Sequence, residues 1–91
     1  MYAIVDIETT GGYAAANGII EISIKVFDGN EVVEEFESLI NPHQSIPKYI
    51  QAFTGITNEM VADAPSFEDV AQTVFTFLQG NIFVAHNVNF D

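Results

Sequence analysis

The sequence contains no cysteine and no tryptophan, and only two of its 91 residues are basic. Because cysteine is absent, a disulfide scaffold, a thiolate zinc site and a cysteine nucleophile are all excluded. No apolar run approaches the ~20 residues that a membrane-spanning helix needs, and no basic leader precedes an apolar segment. We therefore expect a cytoplasmic protein that does not engage a membrane.

Positive charge is also scarce. Lys25 and Lys48 stand against 13 acidic residues, which gives a formal net charge of −11. Proteins usually bind nucleic acid through lysine and arginine side chains that neutralise phosphates. Composition alone therefore disfavours a DNA or RNA ligand. Three explanations stay open: the ligand is something else, metal ions carry the positive charge, or basic residues lie on another part of a longer protein.

Apolar residues make up 48% of the chain and include eight phenylalanines. This content is enough to build the core of one small domain, and it argues against intrinsic disorder. The sequence stops at Asp91, directly after a segment that resembles a strand entering a helix. We expect residues 1–91 to be the amino-terminal portion of a single, longer domain.

Four segments have the patterns of β-strands. Residues 2–7 form a nearly continuous apolar run, which is typical of a strand covered on both faces. Residues 19–27 alternate between apolar and polar, as in a half-covered strand. A turn signal at residues 28–30 leads to a third strand over residues 31–40, whose acids suit an exposed edge. Residues 82–85 predict a fourth, buried strand.

Helices are predicted between the third and fourth strands. Two short helical turns are expected at about residues 48–53 and 58–62. A longer helix starts after Ser66, where Asp69 completes a variant of the capping box, and it stops at Gly80. The order predicts a mixed α/β fold, with an antiparallel three-stranded meander followed by a crossover into a parallel strand.

Three acids have positions that suit chemistry. Asp6 lies inside the first apolar strand, where a carboxylate is costly unless it is paired or bound to metal. Glu8 is two residues further on, so both side chains point to the same face. Their repulsion would raise one pKa, and a divalent cation would relieve it. Oxygen-only ligands favour Mg²⁺ or Mn²⁺. Asp91 converges on this pair if the fourth strand lies beside the first.

Each of these residues also has an ordinary structural explanation. Asp6 taken alone fits an acid bonded to backbone amides, Glu8 fits a solvated strand end, and Asp91 fits the start of a helix. His86 is more often a packed residue than a base or ligand, and His43 in its proline-rich loop is most simply solvated. The arrangement of the acids, rather than any one of them, favours a catalytic site.

Two motifs resemble those of a known family. Residues 6–11 (DIETTG) match the first motif of the DEDD, or DnaQ-like, family of 3′→5′ exonucleases, which includes the proofreading epsilon subunit of bacterial DNA polymerase III. Residues 86–91 (HNVNFD) match the second motif, Asn-x-x-Phe-Asp. The similarity covers essentially the whole chain. It implies a ribonuclease H-like α/β fold, here truncated after the fourth strand.

The resemblance implies a two-metal site built on three acids. Asp6 would bind both Mg²⁺ or Mn²⁺ ions, Glu8 would bind one of them and contact the 3′-terminal hydroxyl, and Asp91 would bind the second through water. The residues expected to contact the terminal nucleotide are Thr9, Thr10, Gly11, Ile56 and Phe90. The implied activity is hydrolysis at the single-stranded 3′ end of DNA or RNA, which releases nucleoside 5′-monophosphates in proofreading or repair.

The family's third motif, which supplies a general base and a fourth acid, has no match in this sequence. Neither His43 nor His86 occupies its position. We therefore expect this chain to be inactive by itself. We expect it to act as part of a longer protein, together with polymerase subunits or a fused downstream domain. We also expect it to self-associate when its apolar surface is uncovered. The alternatives are a non-catalytic interaction module on the same fold and, more weakly, an acidic Ca²⁺-binding domain.

Overall fold

The computed structural model describes residues 1–11 and 18–85. Within these residues the chain forms four strands and three helices in the predicted order. Their bounds are β1 (Tyr2–Thr9), β2 (Ile19–Phe27), β3 (Val32–Leu39), α1 (Lys48–Thr54), α2 (Asn58–Val61), α3 (Phe67–Leu78) and β4 (Ile82–Ala85). No helix in this described part of the chain is both long and apolar enough to cross a membrane.

The strands form one mixed sheet in the order β3-β2-β1-β4. β1 pairs antiparallel with β2, and β2 pairs antiparallel with β3. β4 returns beside β1 in the parallel direction, with Val5 opposite Ala85 at its end. The predicted meander and crossover are therefore confirmed, and the segment before the second motif is brought next to the first motif.

Local signals explain where the elements begin and end. The turn between β2 and β3 is closed by the Asp28 carboxylate, which accepts hydrogen bonds from the backbone N–H groups of Asn30 and Glu31 at 2.7 and 2.9 Å. At the start of α3, the Ser66 hydroxyl accepts from the Asp69 N–H at 3.3 Å, and the Asp69 carboxylate accepts from the Ser66 N–H at 3.1 Å. The predicted capping box is thus confirmed.

Two groups of buried side chains hold these elements together. The first lies between the sheet and α3, whose Val70 and Val74 pack with Ile22 and Ile24 of β2. The second fixes α1, α2 and the loops beside them against the start of β2. Its buried members are Ile20, Ile46, Ile50, Ile56 and Val61. The second group matters for function because it attaches α1 near the carboxyl end of β1.

Two burial predictions are wrong for the described residues. The apolar run of β1 predicts cover on both faces, but Ala3 and Val5 are buried while Ile4 between them is half-buried. The apolar run of β4 predicts a buried strand, but all four of its residues are exposed, and 59% of Phe83 is accessible. An apolar run indicates that a strand needs cover. Within residues 1–11 and 18–85, core side chains cover only one face of β1, and β4 is covered only along the edge that pairs with β1.

Candidate active site

The carboxylates of β1 share one face of the sheet. In the β1–β2 ladder, Asp6 lies opposite Ser23 and Glu8 lies opposite Glu21. Residues directly opposite each other project from the same face, so Asp6, Glu8 and Glu21 form one acidic group. Val5 is buried in the core beneath the other face. The predicted common face of Asp6 and Glu8 is therefore confirmed.

The acidic group is under electrostatic strain. Partial burial raises the pKa of the Glu8 carboxyl, and the neighbouring Asp6 raises it further. Burial also raises the pKa of Glu21, with additional repulsion from Glu37, Glu8 and Asp6. No lysine among the described residues lowers either pKa. Lys25 lies on the same face of β2, where the two ladders place it opposite Ile4 of β1 and Glu35 of β3.

Such a group fits a divalent cation. Two carboxylates on adjacent outward positions of a strand offer only oxygen ligands, which suit Mg²⁺ or Mn²⁺, and a cation would lower the pKa values that repulsion raises. Residues 1–11 and 18–85 do not by themselves contain a group of three or more candidate metal ligands. Asp91, the expected third ligand, lies outside the described residues, as do His86, Asn87 and Phe90.

The ladder between β1 and β2 is irregular after Glu8. The register of β1 and β2 shifts between Glu8 and Thr9. Thr9 then folds back locally, since its hydroxyl accepts a hydrogen bond from the Gly11 N–H at 3.2 Å. The Thr10 N–H donates to the Gly18 carbonyl at 2.7 Å. These bonds hold the three residues that the first motif predicts to lie beneath a terminal nucleotide.

Two features of the structure favour glycine at position 11. Its φ of 110° lies in the region that favours glycine. A Cβ atom at this position would also lie 3.0 Å from the Tyr49 hydroxyl and 3.1 Å from the Ile50 side chain. Helix α1 therefore packs directly against the end of the first motif.

Ile56 is more deeply buried than Thr9, Thr10 and Gly11, the other described residues that are predicted to bind substrate. Only 4% of its surface is accessible, and it packs within the second core group. Its N–H donates to the Thr54 hydroxyl at 3.1 Å, and that hydroxyl donates to the Ile50 carbonyl at 2.8 Å. Ile56 thus stabilises the end of α1, while its contact with a nucleotide stays a prediction.

Sequence reasoning did not single out two exposed aromatic residues beside this segment. Tyr49 and Phe53 of α1 are 68% and 77% accessible, whereas Ile50 on the same helix is buried. The available signal was the four-residue spacing of two aromatics in a short helix. The contact with Gly11, however, depends on how α1 docks.

Comparison with known proteins decides the family. Residues 3–91 match the family model of the RNase_T exonucleases. The chain belongs to this exonuclease family. Its sequence is 43% identical over 91 residues to the 3′-5′ exonuclease DinG of Bacillus subtilis, and 42% identical over 90 residues to the protein of the same name from Staphylococcus aureus. The match covers 99% of this chain and 10% of each relative, so the chain spans about a tenth of their length.

Solved structures agree with the sequence comparison. Exonuclease X, solved with 5′-overhanging duplex DNA, superposes with a TM-score of 0.80 at 34% identity, over 100% of this chain and 51% of that one. Cell-death related nuclease 4 superposes with a TM-score of 0.73 at 24% identity, over 92% of this chain and 34% of that one, and its likeness concerns the fold alone. The exonuclease resemblance and the ribonuclease H-like fold are therefore confirmed.

Proposed function

We propose that this chain is the amino-terminal part of a metal-dependent 3′→5′ exonuclease domain of the DEDD type. It acts on the 3′ end of DNA or RNA and releases nucleoside 5′-monophosphates. The single observation that carries the proposal is the pair Asp6 and Glu8 on one face at the carboxyl end of β1, within an exonuclease family. The relatives named as 3′-5′ exonucleases support the direction of cleavage.

In this mechanism Asp6 and Glu8 would hold two divalent ions, with Asp91 as the third acid. Ions bound there would supply the activation of a water molecule and the stabilisation of the leaving oxygen. Glu8 also accepts a hydrogen bond from the 3′-terminal hydroxyl, which selects a chain end. The backbone around Thr9 and Gly11, held by its own hydrogen bonds, supports the terminal nucleotide.

The proposal accounts for the charge of the chain. A net charge of −11 with two lysines repels phosphates, so binding through counterion release is weak. Divalent ions held by Asp6 and Glu8 would offset this negative charge where the scissile phosphate must sit. The acidic surface elsewhere is compatible with this site because repulsion between exposed charges is screened beyond about 10 Å at moderate salt.

The general base and the fourth acid are expected from residues beyond Asp91, so we propose that the 91-residue chain has little activity alone. The tenfold greater length of the DinG relatives supports a fused downstream domain as its natural context. Proofreading, repair and RNA trimming are all consistent with this chemistry. Polymerase subunits are a further class of partner.

The test uses a longer protein that carries this chain, incubated with a 5′-labelled single-stranded oligonucleotide and Mg²⁺. Asp6→Ala should reduce nucleotide release at least ~100-fold, because several kcal/mol of transition-state stabilisation depend on the metal site. Glu34→Ala, which removes an exposed acid of β3, is the matched control and should leave the rate unchanged. Full Mg²⁺-dependent activity in Asp6→Ala contradicts the proposal.

The charge of −11 also favours a second candidate, a non-catalytic interaction module on the same fold. Such a module would not degrade any oligonucleotide in its full-length context, with or without Asp6. Mg²⁺-dependent release of mononucleotides by the unmodified protein rules it out.

A further inference from the structure

We propose that the outer edge of β3 binds an extended segment of another protein that carries lysine or arginine at alternate positions, and that this segment adds to the sheet as a further strand. The outward-facing backbone groups of residues 32–39 are called the β3 edge below. The inference does not depend on the proposed exonuclease activity.

The β3 edge is long and unpaired. β3 is the outermost strand of the order β3-β2-β1-β4, and one of its sides pairs with β2. Within residues 1–11 and 18–85, no strand pairs with its other side. The strand runs for eight residues, and the backbone N–H and C=O groups along such an edge are able to pair with another chain.

The usual obstacles to pairing are few along β3. Its sequence contains neither the lysine nor the proline with which edge strands commonly prevent pairing. A β-bulge would also bend the edge away, but the irregularity of the β2–β3 ladder lies between Val26 and Phe27, next to the turn, and residues 34–39 keep a continuous register. Val32 and Val33 are each 43% accessible, so an added strand would bury apolar surface as well.

The charge of β3 determines which strand fits. Glu35 and Glu37 are exposed and share one face of the sheet, because they lie opposite Lys25 and Ser23 of β2. A second copy of β3 would bring the same acids together, and like charges across a ladder are destabilising. A strand with cationic side chains at alternate positions would meet both glutamates with the opposite charge. The β3 edge therefore favours a basic partner over a second copy of this acidic chain.

The test measures, by fluorescence anisotropy, how tightly the full chain binds a short labelled peptide that alternates lysine and valine. A second peptide has the same residues but carries methyl groups on its internal backbone nitrogens, so it keeps its charge and donates no ladder hydrogen bond. We expect the ordinary peptide to bind at least ~10-fold more tightly, because only this peptide is able to form the hydrogen bonds of a sheet.

Variants of β3 test the role of its charge. Glu35→Lys/Glu37→Lys should weaken binding of the ordinary peptide at least ~10-fold, because attraction across the new ladder becomes repulsion. Glu35→Gln/Glu37→Gln removes the acids without placing a lysine opposite Lys25, and it should weaken binding about 3-fold. The matched control is Glu59→Lys/Asp63→Lys. It makes the same change of charge at exposed positions in α2 and just after it, and it should bind like the unmodified chain.

Amide hydrogen exchange locates the bound peptide. Backbone N–H groups that gain a ladder partner exchange more slowly. Binding should therefore slow exchange in β3 and leave exchange in α3 and β4 unchanged.

Equal binding of the two peptides overturns the proposal, because charge alone would then explain the interaction. Absence of binding also overturns it, and the acids of β3 would then serve only to prevent pairing. Slower exchange in β4 instead of β3 would place the partner on the opposite edge of the sheet. Protection of β3 that rises with protein concentration in the absence of peptide would identify a second copy as the occupant.

Discussion

Glu8 lies directly across from Glu21 in the antiparallel ladder between β1 and β2. Side chains in such positions have Cβ atoms roughly 4.5–5.5 Å apart, and like charges there are destabilising. Partial burial raises the pKa of both carboxyls, and repulsion adds to it, from Asp6 at Glu8 and from Glu37, Glu8 and Asp6 at Glu21. These carboxylates therefore destabilise the fold at the carboxyl end of β1.

The first prediction concerns stability as a function of pH. Each raised pKa means that the folded chain holds protons more tightly than the unfolded chain does. The contribution of Glu8 and Glu21 to stability is therefore greatest below their ordinary value of 4.5, and it falls as the pH rises above that value. Glu21→Gln should raise the free energy of unfolding at pH 7 by about 0.2–1 kcal/mol. The same substitution should also make the free energy of unfolding decrease less steeply as the pH rises.

The measurement is thermal unfolding in chelator from pH 4 to pH 8. Glu34→Gln is the control because Glu34 pairs with Val26, away from the acidic group. A Glu21→Gln protein with unchanged or reduced stability at pH 7 would show that the repulsion is relieved in some other way.

A second prediction follows for metal binding. Calorimetric titration of Mg²⁺ or Mn²⁺ into the chain should show saturable binding that is absent in Asp6→Asn, because Asp6 supplies a charged oxygen that the neutral amide cannot replace. Glu34→Gln should bind like the unmodified chain. Equal affinity in Asp6→Asn and the unmodified chain would place the cation elsewhere on the acidic surface.

Much of the fold was predictable because its signals are local. The alternation in residues 19–27 predicts both ends of β2 correctly. The Ser66–Asp69 capping box predicts the start of α3. β1 ends at Thr9 rather than residue 7 because its backbone pairs with β2 as far as Thr9, which lies opposite Ile19. An apolar pattern therefore locates a strand better than it locates the end of a ladder.

The candidate site was predictable only in part. The common face of Asp6 and Glu8 follows from the two-residue period of a strand. The approach of Glu21 depends on the register of β2, and the contact of Tyr49 with Gly11 depends on how α1 docks through Ile50. Both are consequences of tertiary packing, which cannot be predicted from the periodicity of the sequence.

The third prediction tests the packing of α1 on Gly11. Gly11→Ala should destabilise the fold by about 1–3 kcal/mol, from the unfavourable φ and from contact with Tyr49 and Ile50. Gly29→Ala is the control, since Gly29 has a φ of 99° but a Cβ added there would meet no atom within 4 Å. Chemical denaturation of Gly29→Ala should show only the part of the destabilisation that comes from the unfavourable backbone φ. Equal losses of stability in the two variants would mean that α1 shifts easily to make room for the added Cβ atom.

The last prediction concerns the apolar surface of β4. All four of its residues are exposed, and within residues 1–11 and 18–85 its only strand partner is β1. An unpaired apolar edge is a template for association with another chain. The 91-residue chain should therefore elute from size-exclusion chromatography as a dimer or larger species at micromolar concentration. Phe83→Lys should shift it toward the monomer, because a charged side chain blocks edge pairing. Met60→Lys, which adds the same charge on α2, should not. A monomeric unmodified chain would show that its own residues cover this edge in solution.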